Sequence, residues 1–319
     1  MNQTHEIEAG VGQSLFDRDG FAVLERHFGP HQVDRAASAM GGLLDKKPGD
    51  VVVDSLKTGE RTFWAQADRR EIRHLRFNDL YLMSEEIREL ALEPGLASVL
   101  EGLLGEPVVL CDSVNFQKGS SETIHIDSLY MAPRTPRSLI AAWIALEDVH
   151  PDSGPLVYYP GSHRIPLYRF NDGTHNADPD EEADWFDYID VQIRLRGLKE
   201  RRFMARKGDV LIWHSDLVHG GSPIRDLSRT RRSMVCHYFA ESDCRERDAD
   251  LVPMHGGYWM RRPRQAVRVD PAVFGPERPF PEESYLGRHV DVRDAVDAGR
   301  FSSGEHHYRT LGFSEGRGV

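Results

Sequence analysis

Four histidines in this chain are each followed two residues later by an aspartate, and such a pair binds a metal ion when both side chains face the same way. A β-strand repeats every two residues, so His-x-Asp on a strand directs both side chains to one face. A non-haem iron site needs two neutral imidazoles and one carboxylate on one side of the ion, so one such pair supplies two of three ligands. With 15 histidines, some pairs are expected by chance, and local context must separate them. The four pairs are His125/Asp127, His150/Asp152, His214/Asp216 and His289/Asp291.

Local context separates these pairs. The pair at His150 lies in "EDVHPDSGP", where proline and glycine predict a turn. The pair at His289 lies in a helical stretch, where residues two apart point in different directions. The pair at His125 lies in "SETIHIDSLYM", whose threonine, isoleucine, leucine and tyrosine residues favour a strand. We therefore expect His125 and Asp127 to face one side together.

The pair at His214 lies in "KGDVLIWHSDLVHGGS", which is typical of a strand that follows a Gly-Asp turn. On one continuous strand, His214 and Asp216 share a face, whereas His219 faces the opposite side. We expect His219 to face inward, because a strand end beside two glycines leaves room for a cosubstrate.

Composition limits the class of protein. The chain has 319 residues, 39% of them hydrophobic, which is enough for one large domain. It contains no apolar run of the roughly 18 to 20 residues that a membrane helix needs, and its first residues do not resemble a signal peptide. We therefore expect a cytoplasmic protein with no membrane partner. The net charge of -11 disfavours nucleic-acid binding, and three unpaired cysteines disfavour disulfides and structural zinc.

The pattern of apolar residues changes along the chain. Before about residue 107 the chain is rich in helices, with a strand in "DGFAVLERHF", a helix in "VDRAASAMGGLLDK" and a helix that begins at Ser84. From about 107 to 245, short apolar runs alternate with Gly, Pro, Asp and Ser, which predicts a β-sandwich or jelly roll. The acidic insertion at 171–200 is expected to form a loop and a helix that cover a site.

These changes predict three parts. Residues 1–245 are expected to form the jelly-roll domain with its N-terminal helices, and 246–283 a connecting segment rich in Pro and Arg. Residues 284–319 are expected to form a small helical module that resembles one appended to assorted bacterial proteins. Packing and self-association into a homo-oligomer are both compatible with such a module.

Several motifs occur together in one order. "LFDRDGFAVLERHF", "HIDSLYM", "AAWIALEDVHPDSGPLVYYPGSH", "KGDVLIWHSDLVHGGS" and "RTRRSMVCHY" resemble the phytanoyl-CoA dioxygenase family of iron(II)- and 2-oxoglutarate-dependent oxygenases. The resemblance covers about residues 13–242. It implies a double-stranded β-helix, a mainly β, cupin-like barrel with flanking helices. It also implies that His125, Asp127 and His219 are the catalytic residues that bind the metal, Fe(II).

The resemblance implies a site for 2-oxoglutarate as well. A guanidinium suits the free carboxylate of this cosubstrate because it offers planar, bidentate, charged donors. The family pattern maps this role onto Arg231, although a loop one residue longer than expected leaves Arg232 as the alternative. Trp143 and Ser222 match family positions that contact the cosubstrate, and Gln117 is expected to line the pocket.

The activity implied is a dioxygenase reaction that consumes O2 and 2-oxoglutarate, releases succinate and CO2, and hydroxylates a C–H bond of a small-molecule substrate. Related halogenases have a small residue at the position of Asp127, so its carboxylate favours hydroxylation. Desaturation, epoxidation and oxidative cyclisation remain alternatives within the same class. A jelly roll that binds ligands without catalysis and a zinc hydrolase are rivals outside it. The basic stretches at 57–77 and 260–268 raise the hypothesis of an anionic substrate.

Overall fold

The fold is that of a computed structural model, which describes residues 14, 16–135, 138–171, 173–245, 249–263, 282–308 and 317. Thirteen strands are described: β1 (Phe21–Leu24), β2 (Val52–Ser55), β3 (Arg61–Phe63), β4 (Leu75–Asn78), β5 (Val108–Phe116), β6 (Leu139–Ala145), β7 (Leu156–Tyr158), β8 (Arg201–Phe203), β9 (Val210–His214), β10 (His219–Gly221), β11 (Ser233–Ala240), β12 (Asp250–Met254) and β13 (Gly257–Arg261). The described helices are α1 (Pro30–Lys46), α2 (Glu85–Ala91), α3 (Pro94–Leu104), α4 (Glu182–Leu195), α5 (Glu241–Arg245), α6 (Glu282–Arg288), α7 (Val290–Asp297) and α8 (Gly304–His307).

The strands form two sheets that face each other. The main sheet has the order β1-β9-β6-β11-β5-β4-β2-β3, and the small sheet has the order β10-β7-β8. Neighbouring strands are antiparallel, apart from a short parallel pairing of β13 with β5. Large apolar side chains fill the space between the sheets, among them Trp143 from β6, Phe203 from β8 and Trp213 from β9. The proposed site residues lie at the edge of this space.

Local sequence signals account for the helices on the outer face of the main sheet. The Ser84 hydroxyl accepts a hydrogen bond from the Ile87 amide at 3.3 Å and so caps the start of α2. Gly105 ends α3 with φ of +79°, as expected for a left-handed C-cap. The buried face of α1 comprises Val33, Ala36, Ala37, Met40 and Leu44. These elements form a second core, which fixes the main sheet from behind.

Two of the predicted strands are not continuous. Residues 121–131 contain an isolated bridge at His125 and a 3-10 helix at Asp127–Leu129. The segment "KGDVLIWHSDLVHGGS" is divided by a turn after His214, so β9 belongs to the main sheet and β10 to the small sheet. The prediction that His214 and His219 face opposite sides of one strand was therefore wrong, because His214 lies on β9 and His219 on β10.

The main sheet continues past residue 245, where the sequence predicts a connecting segment. The hairpin of β12 and β13 joins the sheet through Tyr258 and Trp259, which pair with Val109 and Leu110 of β5.

Residues 264–281 and most of 309–319 lie outside the described residues. Helices α6 to α8 pack around Tyr285, whose hydroxyl lies 3.0 Å from Nδ1 of His307. A separate C-terminal module stays a prediction.

Two further expectations concern the cysteines and the membrane. Cys111, Cys236 and Cys244 are buried, and no disulfide joins them. Among the helices that the structure describes, none has the length and apolar character needed to cross a bilayer.

Gly208 is the glycine on which the turn before β9 depends. Its φ is +88°, and a Cβ atom there would lie 2.3 Å from the Phe28 carbonyl oxygen. We expect Gly208→Ala to lower the free energy of unfolding by about 3 kcal/mol, since it adds backbone strain to a steric clash. Gly102→Ala, in an exposed part of α3 with no neighbour near the new methyl group, should raise it by about 0.5 to 1 kcal/mol. Urea denaturation measures both, and equal stability of Gly208→Ala and the unmodified protein would contradict the prediction.

Candidate active site

Two backbone hydrogen bonds bring the distant histidines together. The His125 amide donates to the His219 carbonyl at 2.8 Å, and the His219 amide donates to the His125 carbonyl at 3.0 Å. This contact requires the loop before His125 to lie against β10. Added Cβ atoms at Gly220 and Gly221 would lie 2.9 Å from the Glu122 carbonyl and 2.4 Å from the Ser120 hydroxyl. The glycines therefore admit the backbone of this loop, and Gly220 also lines the cleft beside the histidines.

A carboxylate and two imidazoles converge at this contact. Nε2 of His125 and Nε2 of His219 lie 3.9 and 3.6 Å from Oδ1 of Asp127. Each Nδ1 is engaged with a backbone carbonyl, that of Thr123 in one ring and that of Leu217 in the other, both at 2.9 Å. One donor atom from each of the three residues lies within 4.8 Å of the others. Two imidazoles and a carboxylate are a donor set suited to a divalent transition metal.

Burial shapes the charge of this cluster. Burial by itself raises the pKa of Asp127, but the imidazoles of His219 and His237 outweigh it and hold that pKa below its ordinary range. Burial lowers the pKa of His219 to about 4, against the opposing effect of Asp127. A carboxylate with a neutral imidazole beside it is the protonation state that a metal ion requires.

Trp213 holds the second oxygen of the carboxylate. Its indole Nε1 donates to Oδ2 of Asp127 at 2.7 Å, and the ring also packs 4.6 Å from the ring of His219. Both atoms of the hydrogen bond are buried. Trp213 therefore fixes the rotation of the carboxylate and leaves Oδ1 directed towards the histidines. Its role was not predicted from the sequence, although Trp213 lies next to His214 in "KGDVLIWHSDLVHGGS".

His237 is a third imidazole beside Asp127. Its Nε2 lies 3.5 Å from Oδ1 of Asp127, and its Nδ1 lies 3.0 Å from Oδ2 of Asp112. Burial opposes the charged form, but Asp127 and Asp112 together raise the pKa of His237 to about 10. His237 lies an even number of residues after Arg231, and alternation along a strand puts such residues on one face, so this spacing was the available signal for His237 in the site.

The cluster opens into a cleft of about 2290 Å³, which is large enough for a cosubstrate and a small organic substrate together. Arg231 and Trp143 line the same cleft. The Arg231 side chain is 1% exposed, and its guanidinium lies 5.4 Å from the ring of Phe116 and 5.6 Å from that of Trp143. Burial lowers the pKa of Arg231 to about 10, so it remains charged at neutral pH.

Arg231 and Trp143 both carry unused hydrogen-bond donors. Nη1 of Arg231 donates to the Gly154 carbonyl at 3.1 Å, whereas Nε has no partner among the described residues. Nε1 of Trp143 is equally without a partner in that part of the chain. Within the described ranges no carboxylate forms an ion pair with Arg231. A buried cation with free donors is costly, and an anionic ligand would offset that cost.

Arg232 is occupied elsewhere. Its backbone amide and Nε bind the two oxygens of Glu147 at 2.8 and 2.7 Å, and its side chain is 41% exposed. The geometry therefore favours Arg231 over Arg232 for an anion in the cleft.

The structure does not bring two other predicted residues to the cleft lining. The Ser222 hydroxyl donates to the Pro155 carbonyl at 2.7 Å, and Gln117 contributes its backbone carbonyl, which accepts from the Arg231 amide at 3.1 Å. The Gln117 carbonyl thus supports the backbone of Arg231.

Four arginines of the two basic stretches already have carboxylate partners, whereas residues 264–268 of the second stretch lie outside the described residues. Arg61 and Arg76 both bind Asp54, and Arg76 also binds Glu122 at 2.8 Å. Through Glu122, Arg76 anchors the loop that carries His125. In the second stretch, Arg261 pairs with Asp250, and Arg262 is a buried partner of Asp79.

Comparison with known proteins identifies related sequences and structures. The model of the phytanoyl-CoA dioxygenase (PhyH) family matches residues 16–233. Ectoine dioxygenase of Nocardia farcinica is 25% identical over 224 residues, which cover 66% of this chain and 70% of that protein.

Solved structures share the fold. The non-heme alpha ketoglutarate dependent epimerase SnoN from nogalamycin biosynthesis superposes with a TM-score of 0.55 at 20% identity, covering 73% of this chain and 83% of that one. EctD from S. alaskensis with 2-oxoglutarate and 5-hydroxyectoine gives 0.53 at 20% identity, covering 84% and 83%. These likenesses confirm the predicted jelly-roll fold.

The bond from Trp213 to Asp127 leads to a test of metal binding. Trp213→Phe keeps the ring packed and removes only the donor, so we expect divalent-metal affinity to fall about 10- to 100-fold. Trp64→Phe is the matched control, because Trp64 is also fully buried and donates to a carbonyl, that of Leu44, away from the cleft. Calorimetric titration with cobalt(II) measures both variants. Equal loss of metal affinity in the two would show a general effect of stability and contradict the prediction.

Proposed function

The chain belongs to the phytanoyl-CoA dioxygenase family of iron(II)- and 2-oxoglutarate-dependent oxygenases, and from this premise we propose that it hydroxylates an unactivated C–H bond of a small molecule. In this proposal His125, Asp127 and His219 hold iron(II), and Arg231 binds the free carboxylate of 2-oxoglutarate. The net reaction converts substrate, O2 and 2-oxoglutarate into alcohol, succinate and CO2.

One observation carries the proposal. A charged, fully buried Arg231 with an unused Nε lines the same cleft as a His/Asp/His cluster. A metal site alone, such as that of the rival zinc hydrolase, does not explain why the Arg231 guanidinium is buried here. A dianionic cosubstrate that binds a metal at one end and a guanidinium at the other satisfies both features.

The residues present fit the two groups. The unpartnered donors of Arg231 and Trp143 are able to bind a carboxylate, and the neutral His219 with the ionised Asp127 suits a divalent cation. When bound, iron and 2-oxoglutarate supply the activation of O2, with 2-oxoglutarate consumed to succinate and CO2.

The chain itself positions the three metal donors and excludes water from the wall of the cleft behind them. Trp213 and the backbone contact between His125 and His219 hold the three donors in place before any metal binds. The cleft wall behind them is formed by buried side chains from β6 and β9, including Trp143. A rigid wall of apolar side chains strengthens charge interactions in the site and restricts the direction from which the substrate approaches.

Hydroxylation is proposed over halogenation because Asp127 completes the set of three protein donors. The relative from Nocardia farcinica is named as a dioxygenase of ectoine, a small molecule. Desaturation, epoxidation and cyclisation use the same site and differ in how the substrate is placed. Mass spectrometry of products separates them, since hydroxylation adds one oxygen atom whereas desaturation removes two hydrogen atoms. A screen of small molecules by 2-oxoglutarate consumption would supply the substrate.

A spectroscopic test addresses the metal and cosubstrate together. Mixing the apoprotein with iron(II) and 2-oxoglutarate without oxygen should give a weak visible charge-transfer band, because the cosubstrate chelates the metal. His219→Ala should abolish the band and the formation of succinate. His214→Ala should retain both, since His214 is buried outside the cleft lining. Absence of the band in the unmodified protein would reject the proposed function.

Substitution of Arg231 and of Arg232 tests which of the two arginines binds the cosubstrate. Arg231→Met should raise the KM for 2-oxoglutarate about 100-fold, the effect of losing about 3 kcal/mol from a buried charged contact. Arg232→Met should change it less than about threefold, because its exposed ion pair with Glu147 contributes little. The Arg231→Met apoprotein should melt at no lower temperature, since the substitution removes an unpaired buried charge. The reverse order of the two KM effects would assign the role to Arg232.

A further inference from the structure

A chain of buried polar side chains runs from Asp127 along the lining of the cleft. It begins at His237, whose Nε2 lies 3.5 Å from Oδ1 of Asp127, whereas Trp213 binds Oδ2. Nδ1 of His237 lies 3.0 Å from Oδ2 of Asp112. One imidazole thus has both ring nitrogens directed at carboxylates, which leaves it little freedom to rotate.

The chain continues to an arginine that follows β13. Nη2 of Arg262 lies 3.4 Å from Oδ1 of Asp112 and 2.9 Å from Oδ1 of Asp79. Nε of the same side chain donates to the Cys111 carbonyl at 3.0 Å. Arg262, Asp79 and Asp112 are all buried. Asp112 is therefore held between His237 and Arg262.

The outer end of this chain belongs to the C-terminal hairpin. β13 joins β5 by a short parallel pairing, and the Tyr81 hydroxyl lies 3.0 Å from the carbonyls of both Cys111 and Met260. These contacts fix the strand that ends next to Arg262. Both His237 and Arg262 lie beyond residue 233, where the match to the family ends.

We propose that His237, braced by Asp112 and Arg262, is a positioning residue for the metal-binding carboxylate of Asp127, so that the hairpin after residue 249 is part of the catalytic unit. Trp213 restrains Oδ2, and His237 restrains Oδ1 from the other side. The inference rests on the proposed function, since it assigns Asp127 to the metal.

Stability alone does not account for such a chain. Buried ion pairs gain little over well-packed apolar groups of similar size, because removing charges from water costs several kcal/mol for each ion. Partners that orient a metal-binding side chain typically change metal affinity or activity by 10- to 100-fold. The direction of the chain, from a rigid sheet position to one oxygen of Asp127, agrees with the second role.

His237 is tested by two substitutions and a control. His237→Leu removes the ring nitrogens, and we expect cobalt(II) to bind the apoprotein about 10- to 100-fold more weakly in calorimetric titration. His237→Gln retains a donor near the position of Nε2 and should recover part of that affinity. His214→Leu is the control, because it replaces a similarly buried histidine that does not line the cleft.

Arg262 is tested against its neighbour. Arg262→Met combined with Asp79→Asn removes the charge without leaving Asp79 as an unpaired buried carboxylate, and asparagine tolerates the φ of +57° at this position. We expect about a 5- to 10-fold loss of cobalt(II) affinity, smaller than for His237→Leu because Arg262 acts through Asp112. Arg261→Met should have no effect, since Arg261 is an exposed partner of Asp250.

The outcomes separate this inference from the proposed function. Melting temperatures of the apoproteins distinguish positioning from folding, because a purely structural role lowers the melting temperature and leaves the metal affinity of the folded protein unchanged; that result would overturn the inference. Loss of binding in His237→Leu as complete as in His219→Ala would make His237 a ligand and also overturn it. If the unmodified protein shows the charge-transfer band while His237→Leu binds cobalt(II) normally, the positioning role fails and the proposed function stands.

Discussion

The pair of backbone hydrogen bonds between His125 and His219 is the contact on which the site depends. It joins β10 of the small sheet to the loop that carries His125. Glycines at 220 and 221 make the approach possible, since a side chain at either position would collide with the loop. The imidazoles extend from these two residues to the same oxygen of Asp127. Because the main chain sets this geometry, the donors are positioned without relying on the metal.

Around that contact, the protein uses two different ways of burying charge. Asp127 accepts a hydrogen bond from the indole of Trp213 and lies beside three imidazoles, and its carboxylate is ionised. Arg231 has the opposite environment, with two aromatic rings, the Gly154 carbonyl, the Ser233 hydroxyl and an unused Nε. The first arrangement fixes a group that belongs to the protein. The second leaves a cation available to a ligand, and this difference is what indicates a metal site with an anionic cosubstrate.

Much of the architecture followed from local signals. The cap at Ser84 begins a helix as predicted, because capping depends on one residue and its immediate neighbours. The even spacing of Arg231 and His237 agrees with their common position in the lining of the cleft. By contrast, "SETIHIDSLYM" and "KGDVLIWHSDLVHGGS" were predicted as continuous strands and are not, because each segment turns where it must meet a partner distant in sequence. Residue preferences do not report such turns.

The sequence by itself determined which residue types are available: a His-x-Asp pair, a histidine near glycines, and arginines before the closing strand. It also supported the family and the jelly-roll fold, since several motifs in order are far more specific than any one. Only the tertiary structure decided which donors converge, which arginine is buried without a carboxylate partner, and that Trp213 and His237 contact Asp127 while Arg262 contacts Asp112 behind His237. The physical reason is that burial and hydrogen-bond satisfaction depend on all the elements packed around a side chain, and those elements lie up to about 180 residues apart along this chain.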